Sequence, residues 1–275
     1  MGQGHRRGQG RAHRSAVPQG GGLRIVDSHC HLDSEVLPLP AHEAISEAAE
    51  VGVERIVTIG VGCESSERAI TLAQAHEGVS ATVGVHPHDA STFTTADLEW
   101  LRELGTHPQV VAIGECGLDY FRDHSPREIQ AEAFIAQLGL ARELGLPVVI
   151  HTREAAEDTL RILAESGEGL EIILHCFTLT EHLEEVLSRG YWVSFAGPVT
   201  YKKSDELRRA AACVPSGRLL VETDSPYLAP EPRRGRPNRP ANLAHTLAAI
   251  AEVRGTSPEE LDAVTSANAA RVFGW

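Results

Sequence analysis

No apolar run in this sequence approaches the 18 residues that a membrane-spanning helix requires. Cys-x-x-Cys pairs are missing, and the five cysteines (Cys30, Cys63, Cys116, Cys176, Cys213) are odd in number and widely spaced. That pattern excludes a disulfide framework and a zinc ribbon. It fits free thiols in a reducing compartment, so a cytoplasmic location is expected. A complete Gly-rich dinucleotide loop is also lacking. The nearest approach, Val57-Thr58-Ile59-Gly60-Val61-Gly62, has no third glycine and reads as a tight turn. Lysine is nearly absent, with only Lys202 and Lys203.

Positive charge is scarce. The formal charge of −13 argues against broad electrostatic adhesion to nucleic acid. What excess of base there is lies at the start: residues 1–22 hold Arg6, Arg7, Arg11 and Arg14 and no acid. This leader has no apolar segment and is not a secretory signal. Its composition predicts a disordered Arg/Gly/His-rich tail, with a nucleic-acid-binding arm as the sharper alternative. The single folded domain is expected over residues 23–275.

From Leu23 onward, β-branched runs alternate with helical patterns. The runs are Leu23–Val26, Arg55–Ile59, Val79–Val85, Val110–Ile113, Pro147–Ile150, Leu170–Leu174, Tyr191–Phe195 and Arg218–Val221. Between them, Ser125–Leu144 places Phe134, Leu138 and Ala141 on one stripe, with Pro126 in the first turn and a stop at Gly145. Thr180–Arg189 and Asp205–Val214 read as further helices, and Thr256–Trp275 as two short closing ones. Apolar strands alternating with amphipathic helices imply a parallel sheet covered on its faces. Eight such units predict an α/β fold of the (β/α)8 TIM-barrel type, in preference to an open doubly wound sheet. The Pro- and Arg-rich stretch 229–240 follows the eighth strand as a loop on the barrel's upper face.

Side chains at the C-terminal strand ends of such a barrel converge on one mouth. His29 and His31 end the first strand, two residues apart, so that both imidazoles point the same way. His86 and His88 end the third, Glu115 the fourth, His151 the fifth, His175 the sixth and Asp224 the eighth. Six of the 14 histidines therefore fall at strand ends. One alone reads as a buried structural imidazole. Together with two carboxylates, such groups need a counter-charge, and one or two divalent cations supply it. Imidazole-rich sets suit Zn, Mn, Co, Ni or Fe and are less typical of a dedicated Mg site.

These segments closely resemble the TatD-type metal-dependent DNases, a branch of the amidohydrolase-like barrels. The resemblance rests on Asp27-Ser28-His29-Cys30-His31-Leu32-Asp33, Gly84-Val85-His86-Pro87-His88 and Gly114-Glu115-Cys116-Gly117-Leu118-Asp119-Tyr120. It continues through the segment from Pro147 to Ala155, His175-Cys176-Phe177 and the segment from Glu222 to Pro230. It spans Ile25 to Trp275. The resemblance implies two divalent cations (Mg, Mn or Zn), one on His29, His31 and Asp224, the other on His151 and His175, with Glu115 bridging. Related amidohydrolases often bridge with a carbamylated lysine, and neither lysine here lies at the fourth strand.

The implied reaction is hydrolysis of DNA ends or single strands, and of RNA where the family extends to it, with 3′ to 5′ exonuclease action. Asp224 is the candidate proton acceptor, Glu115 orients the pair, and His86 and His88 contact the phosphate or assist the leaving group. Arg153 offers a planar cation to the phosphate, and the cluster Arg233, Arg234, Arg236 and Arg239 could hold the strand backbone. Tyr120, Phe121, Tyr201 and Tyr227 are the aromatics placed for base stacking. Replacing His29 and His31 is expected to empty one metal site and spare the other. A monomer is expected. The alternatives are a hydrolase of a small amide, lactone or phosphate ester, and a non-catalytic metal- or nucleic-acid-binding barrel.

Overall fold

Eight parallel strands stand side by side in their order along the chain. They are β1 (Ile25–Cys30), β2 (Val53–Thr58), β3 (Val79–Val83), β4 (Val110–Asp119), β5 (Val148–Arg153), β6 (Ile172–Leu174), β7 (Trp192–Phe195) and β8 (Leu219–Val221). The computed structural model describes residues 23–275. The tail expected over residues 1–22 lies outside the described residues. Parallel neighbours need long crossovers, and helices supply them. These are α1 (Ala41–Glu50), α2 (Cys63–Ala75), α3 (Thr95–Gly105), α4 (Arg127–Leu144), α5 (Ala156–Ser166), α6 (Leu183–Ser188), α7 (Asp205–Cys213), α8 (Leu243–Arg254) and α9 (Pro258–Phe273). The ring meets at its mouth, where Cys30 bridges Ser225, the Ser225 carbonyl accepts from His31 N–H at 2.8 Å, and Asp224 N–H donates to the His29 carbonyl at 2.9 Å. The expected TIM barrel is the architecture.

Apolar side chains fill two layers. Outside the barrel, Phe134, Leu138 and Ala141 of α4 are fully buried, as their helical spacing requires. Pro126 does not enter α4. Its ψ of 139° is extended, so it caps the helix, while Gly145 ends it in the left-handed region at φ 68°. Inside the barrel, Val57, Ile59, Val149, Ile173 and Leu220 pack with Ala269, Val272 and Phe273 of α9. Helix α9 seals the N-terminal end: Asp262 accepts from Arg24 N–H at 2.6 Å, and the Asn268 amide donates to the Ser216 and Leu219 carbonyls.

The closing segment corrects the expectation of two short helices over Thr256–Trp275. One continuous helix of 16 residues forms instead. Ser257 and Glu260 make a reciprocal capping box, no breaker follows Pro258, and Gly274 stops the helix at φ 78°.

Two strands run further than their apolar runs suggest. β4 continues past Ile113 to Asp119, and β5 past Ile150 to Arg153, so Glu115 and His151 lie within strands. Alternation then aims the polar residues. The inward rows Val149–His151, Ile173–His175 and Leu220–Glu222–Asp224 each begin in the barrel core and end at the mouth. Ser28 and His29 are neighbours, yet both face the interior, Ser28 bonding Ser194 and His29 facing Glu115. A regular strand forbids this, and a register shift between Asp27 and Cys30 permits it. A second shift, between Ile113 and Cys116, re-aims Glu115. Beside it Gly117, at φ 137°, has no room for a Cβ, which would run into the His151 carbonyl.

Candidate metal centre

The imidazoles and carboxylates converge as two groups that share one residue. In the first, His29 Nε2 lies 3.3 Å from His31 Nε2, 3.3 Å from Glu115 Oε2 and 3.7 Å from Asp224 Oδ1. His31 Nε2 is 3.4 Å from Asp224 Oδ1 and 3.7 Å from Glu115 Oε2. In the second, Glu115 Oε1 lies 2.7 Å from His151 Nδ1, 2.9 Å from His175 Nε2 and 3.5 Å from His86 Nε2. The His151 and His175 nitrogens are 3.3 Å apart. Each Glu115 oxygen thus faces a different group, so one carboxylate touches both.

The donor set fits divalent cations. Donors about 2.1 Å from a tetrahedral ion lie about 3.4 Å from one another, close to the separations in both groups. His29, His175, Glu115 and Asp224 are all buried. Burial pushes the Glu115 carboxyl upward, but His175, His86 and His29 outweigh it and hold the group well below the usual carboxylate range. Asp224 is likewise held low against burial by its bond to His31 and the charges around it. Burial lowers His175, yet Glu115 and Glu222 raise it well above an ordinary imidazole; burial also lowers His151, and Asp119 and Glu115 outweigh it to raise that ring. His29 moves the other way, lowered first by burial and then by His175. His86 is pushed down to about 4, chiefly by burial. Without a cation, these carboxylates draw protons onto His175 and His151; a cation takes the place of those protons.

Removing the metal should therefore destabilise the fold. A ligand at 100 times its dissociation constant adds about 2.7 kcal/mol. For a domain of this size that corresponds to a Tm decrease of about 5–10 °C on chelation. Calorimetry before and after EDTA treatment checks this, and an unchanged Tm would count against a native metal site.

The remaining expected site residues divide. His88 lines the same cavity and holds Asp119 instead of Glu115, its Nε2 2.9 Å from Asp119 Oδ2. Arg153 also lines the cavity, its guanidinium 3.9 Å from the centre of the Phe121 ring. Arg233 does not. It is exposed on the outer part of its loop and is not among the residues lining the cavity. The expected arginine cluster is dispersed: Arg239 pairs with Glu47 of α1 at 3.1 Å, and Arg234 lies over the Tyr201 ring. The loop turns back at Asn238, whose buried amide donates to the Thr223 carbonyl at 2.8 Å. Arg233 thus lies outside the cavity lining, exposed to solvent.

Three residues that the sequence did not single out support the centre. Asp119 Oδ2 accepts from His88 and lies 3.3 Å from His151 Nε2, while its Oδ1 accepts from the Phe121 and Arg122 N–H groups. Glu222 stands behind His175, accepting from Cys176 N–H at 2.5 Å and lying 3.4 Å from His175 Nδ1 without hydrogen-bond alignment. A carboxylate behind an imidazole ligand fixes its ring and tautomer. Asp27 accepts from Thr223 N–H at 2.8 Å and Thr223 Oγ1 at 2.6 Å, which ties β1 to the Asp224 loop. Burial raises its carboxyl to about 8 despite those bonds. Asp119 and Glu222 fall at strand ends and were visible as carboxylates; their partners lie 31 and 47 residues away in sequence.

The cavity above the cluster has a volume of about 1030 Å³ and is lined by His31, Glu115, His151, His175, Asp224, Arg122, Arg153 and Tyr227, among others. No helix of the described residues is long and apolar enough to cross a membrane.

Comparison with known proteins finds relatives along nearly the whole of the described chain. The family model of TatD related DNases matches residues 26–274. The metal-dependent hydrolase YabD of Bacillus subtilis (strain 168) is 41% identical over 90% of this chain and 98% of its own length. The 3'-5' ssDNA/RNA exonuclease TatD of Cronobacter sakazakii is 42% identical over 92% of this chain and 96% of its own. Among solved structures, YjjV, a TatD homolog from Escherichia coli K12, superposes with a TM-score of 0.86 at 29% identity, covering 92% of this chain and 99% of that one.

Proposed function

This chain belongs to the family of TatD related DNases, and from that premise we propose that it is a phosphodiesterase that trims DNA ends from 3′ to 5′, using two divalent cations. Single-stranded DNA is the proposed main substrate and single-stranded RNA a further one, a range supported by the relative named as an ssDNA/RNA exonuclease. The observation that carries the reading is the Glu115 carboxylate, with one oxygen toward His29 and His31 and the other toward His151 and His175.

His29, His31 and Asp224 would hold one cation, His151 and His175 the other, and Glu115 both. Bound there, the cations acidify a water molecule and draw charge from the phosphoryl oxygen. Asp224, whose Oδ1 lies toward His31 at 3.4 Å, would take the proton of the attacking water on its other oxygen. His86, kept neutral by burial, offers its ring to the phosphate beside Glu115. His88, oriented by Asp119, is the group for the leaving oxygen, with Arg153 binding the phosphate. Removal of water from the buried floor strengthens each of these interactions.

The test is a substrate panel of 5′-labelled single-stranded DNA, RNA and small nitrophenyl esters, with Mg, Mn and Zn in parallel. A ladder shortening from the 3′ end with release of mononucleotides is expected. Hydrolysis of the small esters alone would replace this reading with a small-molecule hydrolase. Metal binding with no turnover of any substrate would leave a non-catalytic barrel.

A further inference from the structure

The four aromatic residues near the mouth are not equally available. Tyr120 is partly buried and its hydroxyl is committed to Asp158 at 2.8 Å. Tyr201 is partly buried and donates to the Ala229 carbonyl at 3.1 Å. Phe121 and Tyr227 remain, each 50% exposed. Phe121 follows β4 by two residues, and Tyr227 lies in the loop after β8. Strands β4 and β8 are four places apart in a ring of eight, so the segments that carry the two rings leave opposite sides of the barrel. Tyr227 lines the cavity, whereas Phe121 lies outside its lining, against Arg122 and Arg153, which do line it. Tyr227 meets the edge of His31 with ring centres 5.7 Å apart.

Charge distinguishes the Phe121 side. Arg153 lies over that ring at 3.9 Å and Arg122 at 5.8 Å. Among the described residues neither guanidinium is paired with a carboxylate, whereas Arg127, Arg161, Arg208 and Arg239 all are. In a chain with a formal charge of −13, two unpaired guanidiniums lining one cavity suit an anionic ligand. An arginine stacked on an aromatic ring also extends the flat surface on which a base can lie.

We infer that Phe121 and Tyr227 are two base platforms on either side of the reaction centre. They take the unpaired nucleobases that flank the scissile phosphate, while Arg122 and Arg153 hold the phosphate on the Phe121 side. A base within a duplex is already stacked and has no free face to offer. The pair therefore selects unpaired ends without reading sequence. This inference rests on the phosphodiesterase reading, and the two can fail separately.

The experiment is equilibrium binding of the full chain, in Mg, to labelled phosphorothioate strands that resist cleavage, read by fluorescence anisotropy. One strand is normal, one lacks its two 3′-terminal bases, and one is a blunt duplex; cleavage of ordinary DNA is scored separately. The normal strand should bind at least about tenfold more tightly than the base-free strand and the duplex. Phe121→Ala and Tyr227→Ala should each reduce that preference about tenfold or to unity, Phe121→Leu should not restore it, and Tyr227→Phe should retain it. Equal binding of normal and base-free strands by the unmodified protein overturns the proposal. So does a wild-type preference retained in both alanine variants, or a duplex bound as tightly as the single strand. A base-dependent preference without cleavage of ordinary DNA refutes only the phosphodiesterase reading; cleavage with base-independent binding refutes only the platforms.

Discussion

Glu115→Gln is expected to lower kcat/KM on single-stranded DNA by about 10³-fold or more while leaving the barrel folded. Loss of a single preorganised electrostatic contact in an active site costs about 10²–10³-fold. Glu115 does more than one such contact, because its two oxygens face the two ligand groups. Glutamine keeps the shape but replaces one acceptor oxygen with an N–H donor and removes the only negative charge between the groups. Five imidazoles would then surround a neutral amide, and affinity for both cations should fall. Elemental analysis should show metal content dropping from about two ions per chain toward none, since one anionic ligand is shared by both. Circular dichroism should be unchanged. A variant that retains activity within tenfold of the unmodified protein would remove Glu115 from the centre.

The second large effect separates two neighbouring histidines. His31→Ala should cost one cation and His29→Ala both, although the residues are two apart and were expected to act as one pair. His31 faces Asp224 and Glu115 Oε2 and lies at the rim. His29 is fully buried, and its ring stacks on His175 with centres 3.9 Å apart. His29, Glu115 and His175 also present donors close enough to meet at one ion. Removing the His29 ring opens a void against His175 as well as removing a ligand, so the second group loses its support. Both variants should lose about 10²-fold or more in activity. The distinguishing measurement is metal stoichiometry after reconstitution and dialysis. Equal stoichiometry in the two variants would mean that the groups are independent, as the spacing alone suggests.

Much of the fold and of the site is legible in the sequence. The six-histidine pattern works as a signal because a barrel's strand ends all point to one mouth, so position along the chain translates directly into position in space. Composition puts Arg233 in an arginine-rich loop but does not say which of its arginines reach the cavity; Asn238 and the Arg239–Glu47 pair fix the loop's return. The continuous closing helix was missed because its cap is a reciprocal side-chain bond, and its stop is a terminal glycine rather than a proline.

The sequence by itself determined the eight βα units, the identity of the ligand-type residues and the family, because each of these is a local pattern of polarity, spacing or motif. Only the tertiary structure decided how those residues divide. The register shifts in β1 and β4 that aim His29 and Glu115, the stacking of His29 on His175, and the Asp119 and Glu222 carboxylates behind the imidazoles all depend on strand-to-strand registry and packing. Those contacts join residues tens to hundreds of positions apart, and no local periodicity encodes them.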